Sequence, residues 1–525
     1  MKILISDKLS KEAVDILSST PGLEVDIKTD LKPEELKNII GGYDALVVRS
    51  STKATKEIIN AGKNLKIIGR AGIGVDNVDV ESASVRGIIV MNTPGGNVIT
   101  TAEHAISMLM SMTRKIPQAC SSMKEGKWEK SRFVGNELYN KTLGIIGMGR
   151  IGSLVAQRAK GIEMKVIAFD PFLSKESAQK LNIPLVTLEE LLKISDFITI
   201  HATATEQTKH LINEKAFSQM KKGVKIVNCS RGSIIDEKAL LKALQDGKIS
   251  GAALDVFEEE PTKNLDLVKH ESVICTPHLG ASTVEAQANV AIDIAEQLKD
   301  YFLNGVIKNA VNLPSVDQTL LPELRKYMDL GEKLGSFVTQ LSEGSLEEVS
   351  IEYRGEVVEL GTSSLTLSVI KGLLTPIMKD VNLVNAPILA KERGIKISET
   401  TSHDIENFAS LIQVRLKTDR KTNLVAGTIF HKTSPRIVRI DEYDLEAPPS
   451  RFMLVFSNKD APGVIGRIGT LLGENKINIA GMILGRAEPQ GMAVSIVNVD
   501  SEISKEILDR IENLPNIIDA KLVRL

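Results

Sequence analysis

A glycine-rich turn in the middle of the chain restricts its fold more than any other feature. Gly147, Gly149 and Gly152 have the spacing G-x-G-x-x-G, with the β-rich run 141–146 before them and the helical run 153–159 after them. In that context the three glycines allow a tight turn, close approach of the backbone to a pyrophosphate, and close packing of the helix on the strand. We therefore expect a doubly wound parallel sheet with a dinucleotide at the amino end of the helix.

The acidic residue that ends the next predicted strand indicates which dinucleotide binds. Asp170 follows the run 165–169, within the ~20-residue distance at which an acidic side chain meets the ribose hydroxyls. A carboxylate there repels a 2′-phosphate, and the following Pro171 and Phe172 supply no cation. The expected cofactor is therefore NAD rather than NADP.

Short β-rich runs alternate with helical segments on both sides of the turn, a pattern that predicts parallel sheets. The predicted strands lie at 3–5, 45–48, 67–68, 88–90, 141–146, 165–169, 197–200, 224–228, 251–254 and 273–274. The amphipathic stretch 283–302 is expected to carry the chain back to the first sheet. We predict a discontinuous substrate-binding domain of residues 1–98 and 291–318, with a Rossmann domain of residues 99–290 inserted into it.

The pattern changes beyond residue 318, and 525 residues are too many for one core. Residues 319–450 mix helices with β-rich runs, which predicts an α+β intervening domain. Residues 451–525 have the order β, helix, β, β, helix, β, which is that of a ferredoxin-like module. The expected linker between these two domains is Ala-Pro-Pro-Ser at 447–450.

Charge and cysteine content exclude several classes of function. Lys plus Arg (65) nearly balance Asp plus Glu (67), so no overall field attracts nucleic acid or an anionic membrane. Cys120, Cys229 and Cys275 have neither the spacing of a disulfide framework nor that of a metal site. The first residues have the pattern of a strand rather than a signal peptide, and no run approaches the roughly 18 apolar residues of a membrane helix. We expect a cytoplasmic protein without a metal.

Three ionisable residues lie beyond the carboxyl ends of predicted strands, where the ligand crevice of a doubly wound sheet forms. They are Arg231, Glu260 and His278. An arginine fork binds a carboxylate with two hydrogen bonds, and a histidine titrates near neutrality and can remove a hydroxyl proton. A nearby glutamate would stabilise the protonated ring and fix its tautomer. The set suits oxidation of a 2-hydroxy acid, whereas each residue alone is also typical of a solvated loop.

The order and spacing of four motifs resemble the D-isomer-specific 2-hydroxyacid dehydrogenases. The motifs are GMGRIG at 147–152, NCSRG at 228–232, LDVFEEEP at 254–261 and TPHLGAST at 276–283. The resemblance implies an NAD-dependent dehydrogenase whose catalytic residues are Arg231, Glu260 and His278. It also implies cofactor contacts from Gly147, Gly149, Arg150, Ile151, Gly152, Asp170, Cys229, Asp255, His278, Gly280 and Ala281.

Motifs of the first domain narrow the resemblance to the branch of the family that oxidises D-3-phosphoglycerate. The similar segments are 48–53, 69–77 and 92–97. Their similarity implies a substrate site that consists of Arg49, Lys53, Arg70 and Asn97. A nearly neutral protein needs such local cations to hold a phosphate and a carboxylate together. The alternative is that Arg49 and Arg70 only cap the ends of strands.

Two other functions are compatible with the same fold. Reduction of glyoxylate or hydroxypyruvate would keep the fold and the chemistry, but an unphosphorylated substrate needs fewer cations than Arg49, Lys53 and Arg70 supply. A non-catalytic NAD-sensing protein, such as a transcriptional co-regulator, would keep the cofactor turn. The complete set of Arg231, Glu260 and His278 argues against that second alternative.

The tail resembles an ACT-type regulatory module in its motifs at 460–466 and 475–479. The resemblance implies L-serine as an effector, bound between paired modules by Asn458, Asp460 and Asn478. The alternative is a module that only mediates dimerisation. The family pairs its nucleotide domains, so we expect a homodimer or a homotetramer, in which the segment 128–133 crosses to a partner and brings Lys130 or Arg132 toward its active site.

Some positions depart from the pattern of the family. Ile73 lies where relatives often have a threonine near the nicotinamide, and Ala202 lacks a hydroxyl for a contact beside the turn. Asn458 lies where serine-responsive relatives often have histidine or tyrosine, and the loop 441–444 is acidic, which disfavours an anionic effector there. These differences leave the expected chemistry intact and weaken the expectation of a response to serine.

Overall fold

The computed structural model describes residues 1–317, 319–404, 407–486 and 488–525. Its first sheet has five parallel strands in the order β2-β1-β3-β4-β5. The elements are β1 (Lys2–Ile5), α1 (Lys11–Ser18), β2 (Glu24–Ile27), α2 (Pro33–Ile39), β3 (Ala45–Val48), α3 (Lys56–Ala61), β4 (Ile67–Arg70), α4 (Val80–Val85) and β5 (Ile89–Met91). The strand β2 was not predicted, because it is a half-exposed edge strand with only two apolar residues.

The second sheet is parallel and has six strands in the order β11-β10-β9-β8-β6-β7. The order reverses at β6, so the crevice at its carboxyl end is the expected ligand position. The elements are α5 (Val98–Thr113), α6 (Ile116–Lys124), β6 (Thr142–Ile146), α7 (Arg150–Gly161), β7 (Lys165–Phe169), α8 (Lys175–Lys180), α9 (Leu188–Ile194), β8 (Phe197–Ile200), α10 (Glu214–Gln219), β9 (Val224–Asn228), α11 (Glu237–Gln245), β10 (Ile249–Leu254), α12 (Leu265–Val268) and β11 (Val273–Cys275).

A long helix, α13 (Val284–Asn304), returns from the second sheet to the first. Its buried face, which includes Val290, Ile294 and Leu298, belongs to the same apolar core as β1 and β4. Gly69 permits this contact, because a Cβ there would lie 2.9 Å from the Ile294 side chain. The first unit is therefore built from two separate parts of the chain. The limits of the domains stay predictions, and the limit at 290/291 falls inside α13.

The third sheet combines one parallel and four antiparallel pairings in the order β13-β12-β14-β15-β16-β17. Helices α14 and α15 pack on it. The elements are α14 (Leu321–Leu341), β12 (Leu346–Gly355), α15 (Thr362–Leu374), α16 (Ala386–Glu392), β13 (Lys396–Ser402), β14 (Ser410–Thr418), β15 (Thr422–Phe430), β16 (Ser434–Ile440) and β17 (Tyr443–Ala447). This is the expected α+β region.

The carboxyl-terminal sheet is antiparallel with the order β19-β20-β18-β21, as a ferredoxin-like module requires. Its elements are β18 (Phe452–Lys459), α17 (Val464–Glu474), β19 (Ile479–Arg486), β20 (Met492–Val499), α18 (Lys505–Glu512) and β21 (Ile517–Arg524). The two helices cover one face, and the other face shares a core with the preceding domain. The predicted fold class is thus confirmed for all four regions. None of the helices in the described residues is long and apolar enough to cross a bilayer.

Candidate active site

The glycine turn connects β6 to α7, and each glycine occupies a position that a side chain would disturb or fill. Gly147 has a φ of 92°, and a Cβ there would lie 2.8 Å from the carbonyl oxygen of His201. A Cβ on Gly152 would overlap the carbonyl oxygen of Gly147. Gly149 is different, since a Cβ there would meet nothing within 4 Å. Open space above Gly149, at the amino end of α7, fits the close approach of a pyrophosphate.

Asp170 holds this turn in place from the end of β7. Its Oδ2 accepts a hydrogen bond from the Met148 N–H at 2.7 Å, and its Oδ1 accepts one from the Phe172 N–H at 2.8 Å. The carboxylate is half-buried at the crevice edge. Asp170 therefore stabilises the turn as well as presenting a negative charge beside it, and its predicted contact with a ribose stays a prediction.

Glu260 and His278 come together as a hydrogen-bonded pair, with 2.7 Å between Glu260 Oε2 and His278 Nδ1. The hydrogen bond that His278 donates to Glu260 raises the pKa of His278, although burial opposes the rise. Burial would raise the pKa of Glu260, but the hydrogen bond and the charge of His278 outweigh it and lower that pKa. The pair therefore favours an imidazolium beside a carboxylate and leaves Nε2 as the ring nitrogen available to a substrate.

The backbone at His278 adopts a left-handed conformation, with a φ of 56°. This conformation costs a non-glycine residue about 1 kcal/mol and persists where the surroundings impose it. Here the His278 N–H donates to the Asp255 carbonyl oxygen at 2.9 Å. The left-handed turn begins the loop 278–280, which follows β11.

The side chain of Asp255 lies beneath that loop and is 0 % exposed. It accepts hydrogen bonds from the Leu279 N–H at 2.7 Å, the Gly280 N–H at 2.8 Å and the Thr276 hydroxyl at 2.6 Å. Burial raises its pKa, but the hydrogen bonds from His104 and Thr276 outweigh burial, and the pKa is lowered. The carboxylate therefore faces the loop, so its predicted contact with a cofactor stays a prediction. The predicted Cys229 is also buried, and burial raises its thiol pKa.

Arg231 joins the second unit to the first across the crevice. Its Nη2 and Nε lie 2.8 and 3.0 Å from Asp76 Oδ2, and its Nη1 donates to the Ser230 carbonyl oxygen at 2.8 Å. Burial raises the pKa of Asp76, but the charge of Arg231 outweighs it, and the pKa is lowered. Gly74 leaves the space for this guanidinium, because a Cβ there would overlap Arg231.

Three arginines concentrate positive charge at the same place. Arg70 is largely buried, and burial together with the charges of Arg231 and Arg49 lowers its pKa to about 10. Its Nε has no hydrogen-bond partner among the described residues, which leaves a donor for a ligand. Arg49 is held by Asp7 and Lys8, since its N–H donates to Asp7 Oδ2 at 2.5 Å and its Nη1 to the Lys8 carbonyl oxygen at 3.1 Å.

The two other predicted substrate residues behave differently from each other. Asn97 is buried at the start of α5, and its Oδ1 has no partner among the described residues. An orphaned amide oxygen beside the crevice is available to a ligand hydroxyl. Lys53 is exposed, and within the described residues no hydrogen bond or ion pair ties it to the arginine cluster. The geometry thus assembles Arg49, Arg70 and Arg231 but leaves Lys53 outside.

Sequence reasoning missed Asp76 and His104. Asp76 lies in the segment 69–77, which was used for its cations, and the acidic residue among its glycines was the available signal. His104 is on α5, and its Nε2 lies 3.2 Å from Asp255 Oδ1. No pattern in the sequence indicates that helix as a neighbour of the catalytic loop. The described residues contain no group of three or more His, Cys, Asp or Glu that could hold a metal ion.

The three predicted regulatory residues do not meet within one chain. Asn458 Oδ1 accepts from the Ser495 hydroxyl at 3.3 Å, Asp460 pairs with Arg486 at 2.9 Å, and Asn478 donates to Asp500 at 2.6 Å. Asp460 lies near the Arg486 end of β19, whereas Asn478 precedes the opposite end of that strand. A site that uses all three residues needs a second copy of the module.

Comparisons with known proteins agree with this geometry. Residues 106–280 match the D-isomer specific 2-hydroxyacid dehydrogenase NAD binding domain, so the chain has the NAD binding domain of that class and is an oxidoreductase. Residues 323–441 match the D-3-phosphoglycerate dehydrogenase intervening domain, and residues 452–516 match the ACT domain. The class defined by fold and site is thus that of the NAD-dependent 2-hydroxyacid dehydrogenases.

Relatives place the chain more narrowly. It is 44% identical to D-3-phosphoglycerate dehydrogenase of Archaeoglobus fulgidus, with 100% of both chains covered. It is 42% identical to the enzyme of that name from Bacillus subtilis, which covers 100% of this chain and 99% of that one. The structure of D-lactate dehydrogenase from Aquifex aeolicus with NAD and lactic acid is 29% identical, with a TM-score of 0.53, over 60% of this chain and 100% of that one. The chain belongs to the D-3-phosphoglycerate dehydrogenase family.

Proposed function

We propose that this chain oxidises D-3-phosphoglycerate to 3-phosphohydroxypyruvate with NAD, the first step of L-serine biosynthesis. The observation that carries the proposal is the joint presence of a Glu260–His278 pair and a cluster of three arginines at one crevice. The pair supplies an acid–base group, and the cluster supplies charge for a substrate with two anionic groups. The full-length relatives of this name support the same substrate.

The cationic side chains bind different groups of the substrate. Arg231 is the carboxylate anchor, because its planar fork lies beside the catalytic pair and its position is fixed by Asp76. The guanidinium also draws electron density from the C2 oxygen. Arg49 and Arg70 face the phosphate, with Lys53 at the outer edge and Asn97 as a hydrogen-bonding partner of the substrate. This division makes the phosphate a determinant of specificity.

His278 removes the proton of the C2 hydroxyl. Its Nε2 accepts the hydroxyl proton while Glu260 stabilises the resulting imidazolium through Nδ1. The glycine turn would hold NAD, and a nicotinamide bound there would supply the acceptor for the hydride that leaves C2. Gly147, Gly149, Arg150, Ile151 and Gly152 would hold its pyrophosphate, and Asp170 the ribose hydroxyls. The remaining cofactor contacts that we propose come from Cys229, Asp255, His278, Gly280 and Ala281.

A comparison of substrates tests this function against reduction of glyoxylate or hydroxypyruvate. Purified protein is assayed for NADH production with D-3-phosphoglycerate and with D-glycerate. Each charge-assisted hydrogen bond to the phosphate is worth about 1.5–3 kcal/mol, so two such bonds, one each from Arg49 and Arg70, should give the phosphorylated substrate a kcat/KM higher by about 10²-fold or more. Equal values for the two acids would remove the phosphate site from the proposal. Tight NAD binding without oxidation of any 2-hydroxy acid would instead support an NAD-sensing protein.

The regulatory part of the proposal concerns assembly and L-serine. We propose a cytoplasmic homodimer or homotetramer in which paired ACT domains bind L-serine through Asn458, Asp460 and Asn478. The separation of these residues within one chain supports a site shared by two copies. Trp128, which is 81% exposed, supports the segment 128–133 as a second interface. A serine titration of NADH production, with the mass measured by light scattering, tests both: a monomer, or activity unchanged by serine, would contradict it.

A further inference from the structure

One face of α5 lies directly behind the loop that carries His278. The Thr101 hydroxyl donates to the Gly280 carbonyl oxygen at 3.0 Å. One turn further along, His104 Nε2 lies 3.2 Å from both Asp255 Oδ1 and the Thr276 hydroxyl. Residues three or four apart occupy one side of a helix, so these contacts form a continuous strip. The role of the strip is not explained by substrate or cofactor binding.

The donors to Asp255 come from two kinds of position. Leu279 and Gly280 donate from the loop itself, and Thr276 donates from the residue just after β11. Leu279 and Gly280 move with the loop if it moves, whereas Thr276 lies outside it at the end of β11. Among the described residues, His104 is the group of a separate element that reaches Asp255: its Nε2 lies 3.2 Å from Asp255 Oδ1 and is hydrogen-bonded to the Thr276 hydroxyl at 3.2 Å. It therefore joins the loop and its carboxylate to a fixed helix.

We propose that His104 is a positioning residue for His278. By donating its Nε2–H to Asp255, it holds the carboxylate where it can bind the N–H groups of Leu279 and Gly280. Those two bonds keep the loop in the conformation whose first residue, His278, is left-handed. A loop free to relax from that conformation would move the imidazole away from the substrate hydroxyl.

The surroundings of His104 suit this role. Its side chain is 19% exposed and borders a hollow of about 500 Å³ between α5, α6 and β11. An ionised carboxylate only accepts hydrogen bonds, so the tautomer of His104 that bonds Asp255 carries its proton on Nε2. The carboxylate is ionised, because the hydrogen bonds from His104 and Thr276 outweigh burial and lower its pKa.

Variants at residue 104 test the proposal, which rests on the proposed function for its assay. The amide nitrogen of His104→Gln reaches as far as Nε2 and retains a donor, whereas that of His104→Asn reaches only as far as Nδ1. His104→Leu removes the donor and keeps much of the volume. Ser107→Ala, which borders the same hollow on the next turn of α5, is the matched control.

We expect kcat to fall about tenfold in His104→Leu and His104→Asn, in line with loss of one hydrogen bond to a charged group. The Kd for NAD and the KM for the hydroxy acid should change less than twofold. His104→Gln should restore kcat to within threefold of wild type, and Ser107→Ala should leave it unchanged. If Leu at this position prevents folding, the contrast between Gln and Asn decides by itself.

Equal kcat values for the Gln and Asn variants would overturn the proposal, because a role in packing alone does not depend on the reach of the donor. A fall in NAD affinity without a fall in kcat would also overturn it. Every rate is compared with wild type on the hydroxy acid that wild type oxidises best. Failure of wild type to oxidise D-3-phosphoglycerate would therefore count against the proposed function and not against the role of His104.

Discussion

The crevice between the first two sheets and the ACT module differ in how their polar residues are arranged. At the crevice, side chains at the ends of β4, β9, β10 and β11 converge, and two buried polar atoms, Arg70 Nε and Asn97 Oδ1, have no hydrogen-bond partner within the described residues. In the ACT module, Asn458, Asp460 and Asn478 are each bonded to a neighbour of their own. The residues of the proposed catalytic site thus come together within one chain, whereas those of the proposed effector site do not.

This difference indicates which of the two proposed sites can be complete within a single chain. Chemistry at C2 needs groups within hydrogen-bonding distance, and the crevice has them before any ligand arrives. An effector that bridges two copies needs only that each copy presents half of a site. The first kind of site should lose activity with single substitutions, whereas the second should keep basal activity when altered.

The largest effect is expected from His278→Ala. Removal of the proton acceptor should lower kcat by about 10²–10⁴-fold, whereas the Kd for NAD should change less than twofold. Steady-state NADH production and calorimetric NAD binding measure the two quantities. His403→Ala, at an exposed position in the intervening domain, is the control. A variant of His278 with more than a tenth of the wild-type kcat would end the assignment of that residue as the base.

A smaller loss is expected from Arg231→Gln. Two charge-assisted hydrogen bonds to the substrate carboxylate, worth about 1.5–3 kcal/mol each, correspond to a fall in kcat/KM of about 10²-fold or more. The variant also removes the ion-pair partner of Asp76, so circular dichroism and thermal unfolding must accompany the kinetics. Arg393→Gln, at the end of α16, should have wild-type kinetics. Comparable losses in both variants would show that the effect is not specific to the crevice.

Two variants of Asp170 separate the contribution of its hydrogen bond to the turn from that of its negative charge. Asp170→Ala loses both the bond to the Met148 N–H and the negative charge, so the KM for NAD should rise about tenfold or more. Asp170→Asn keeps an acceptor for that N–H and loses the charge, so it should bind NAD almost normally but discriminate less against NADP. The kcat/KM ratio for the two cofactors measures this discrimination. An unchanged ratio in the Asn variant would contradict the electrostatic explanation.

Glu260→Gln should shift the pH profile of kcat/KM as well as lower the rate of oxidation. The neutral form of His278 is the base, so kcat/KM for oxidation falls as the pH drops below the pKa of His278. In wild type the hydrogen bond that His278 donates to Glu260 raises that pKa. Loss of the carboxylate should therefore lower the pKa, and the acidic limb of the profile should move to lower pH by about one unit. Movement to higher pH would mean that another group controls this limb.

The smallest effect is expected from the ACT module. Asn478→Ala removes a bond to Asp500 that lies outside the crevice. Without serine, kcat should change less than twofold. Serine should inhibit the wild-type protein but not the variant. A large fall in basal kcat would show that the module supports the catalytic site directly and would break the comparison.

Most of the fold follows from the sequence because its strands are strongly patterned. The runs 45–48, 165–169, 197–200 and 224–228 coincide with strands of the structure, since parallel strands buried on both faces need continuous apolar residues. The edge strand β2 has no such requirement and was missed. The order β, helix, β, β, helix, β of the tail was sufficient to predict the ferredoxin-like sheet.

Proximity within the candidate site could be predicted only in part. Glu260 and His278 follow neighbouring strands of one sheet, so their meeting follows from the topology. Asp76 and His104 come from other parts of the fold, and their positions depend on how α5 and the first sheet pack on the second. The bond from Asp170 to the turn also depends on backbone geometry, which residue types and spacing do not describe.

The shared core between the intervening and ACT domains has a consequence for shortening the enzyme. Met453, Val455 and Val494 of the ACT sheet belong to the same apolar cluster as the intervening domain, and Gln340 of α14 exchanges two hydrogen bonds with the backbone of Arg524. A chain cut after residue 450 would therefore expose an apolar surface of the intervening domain and would aggregate.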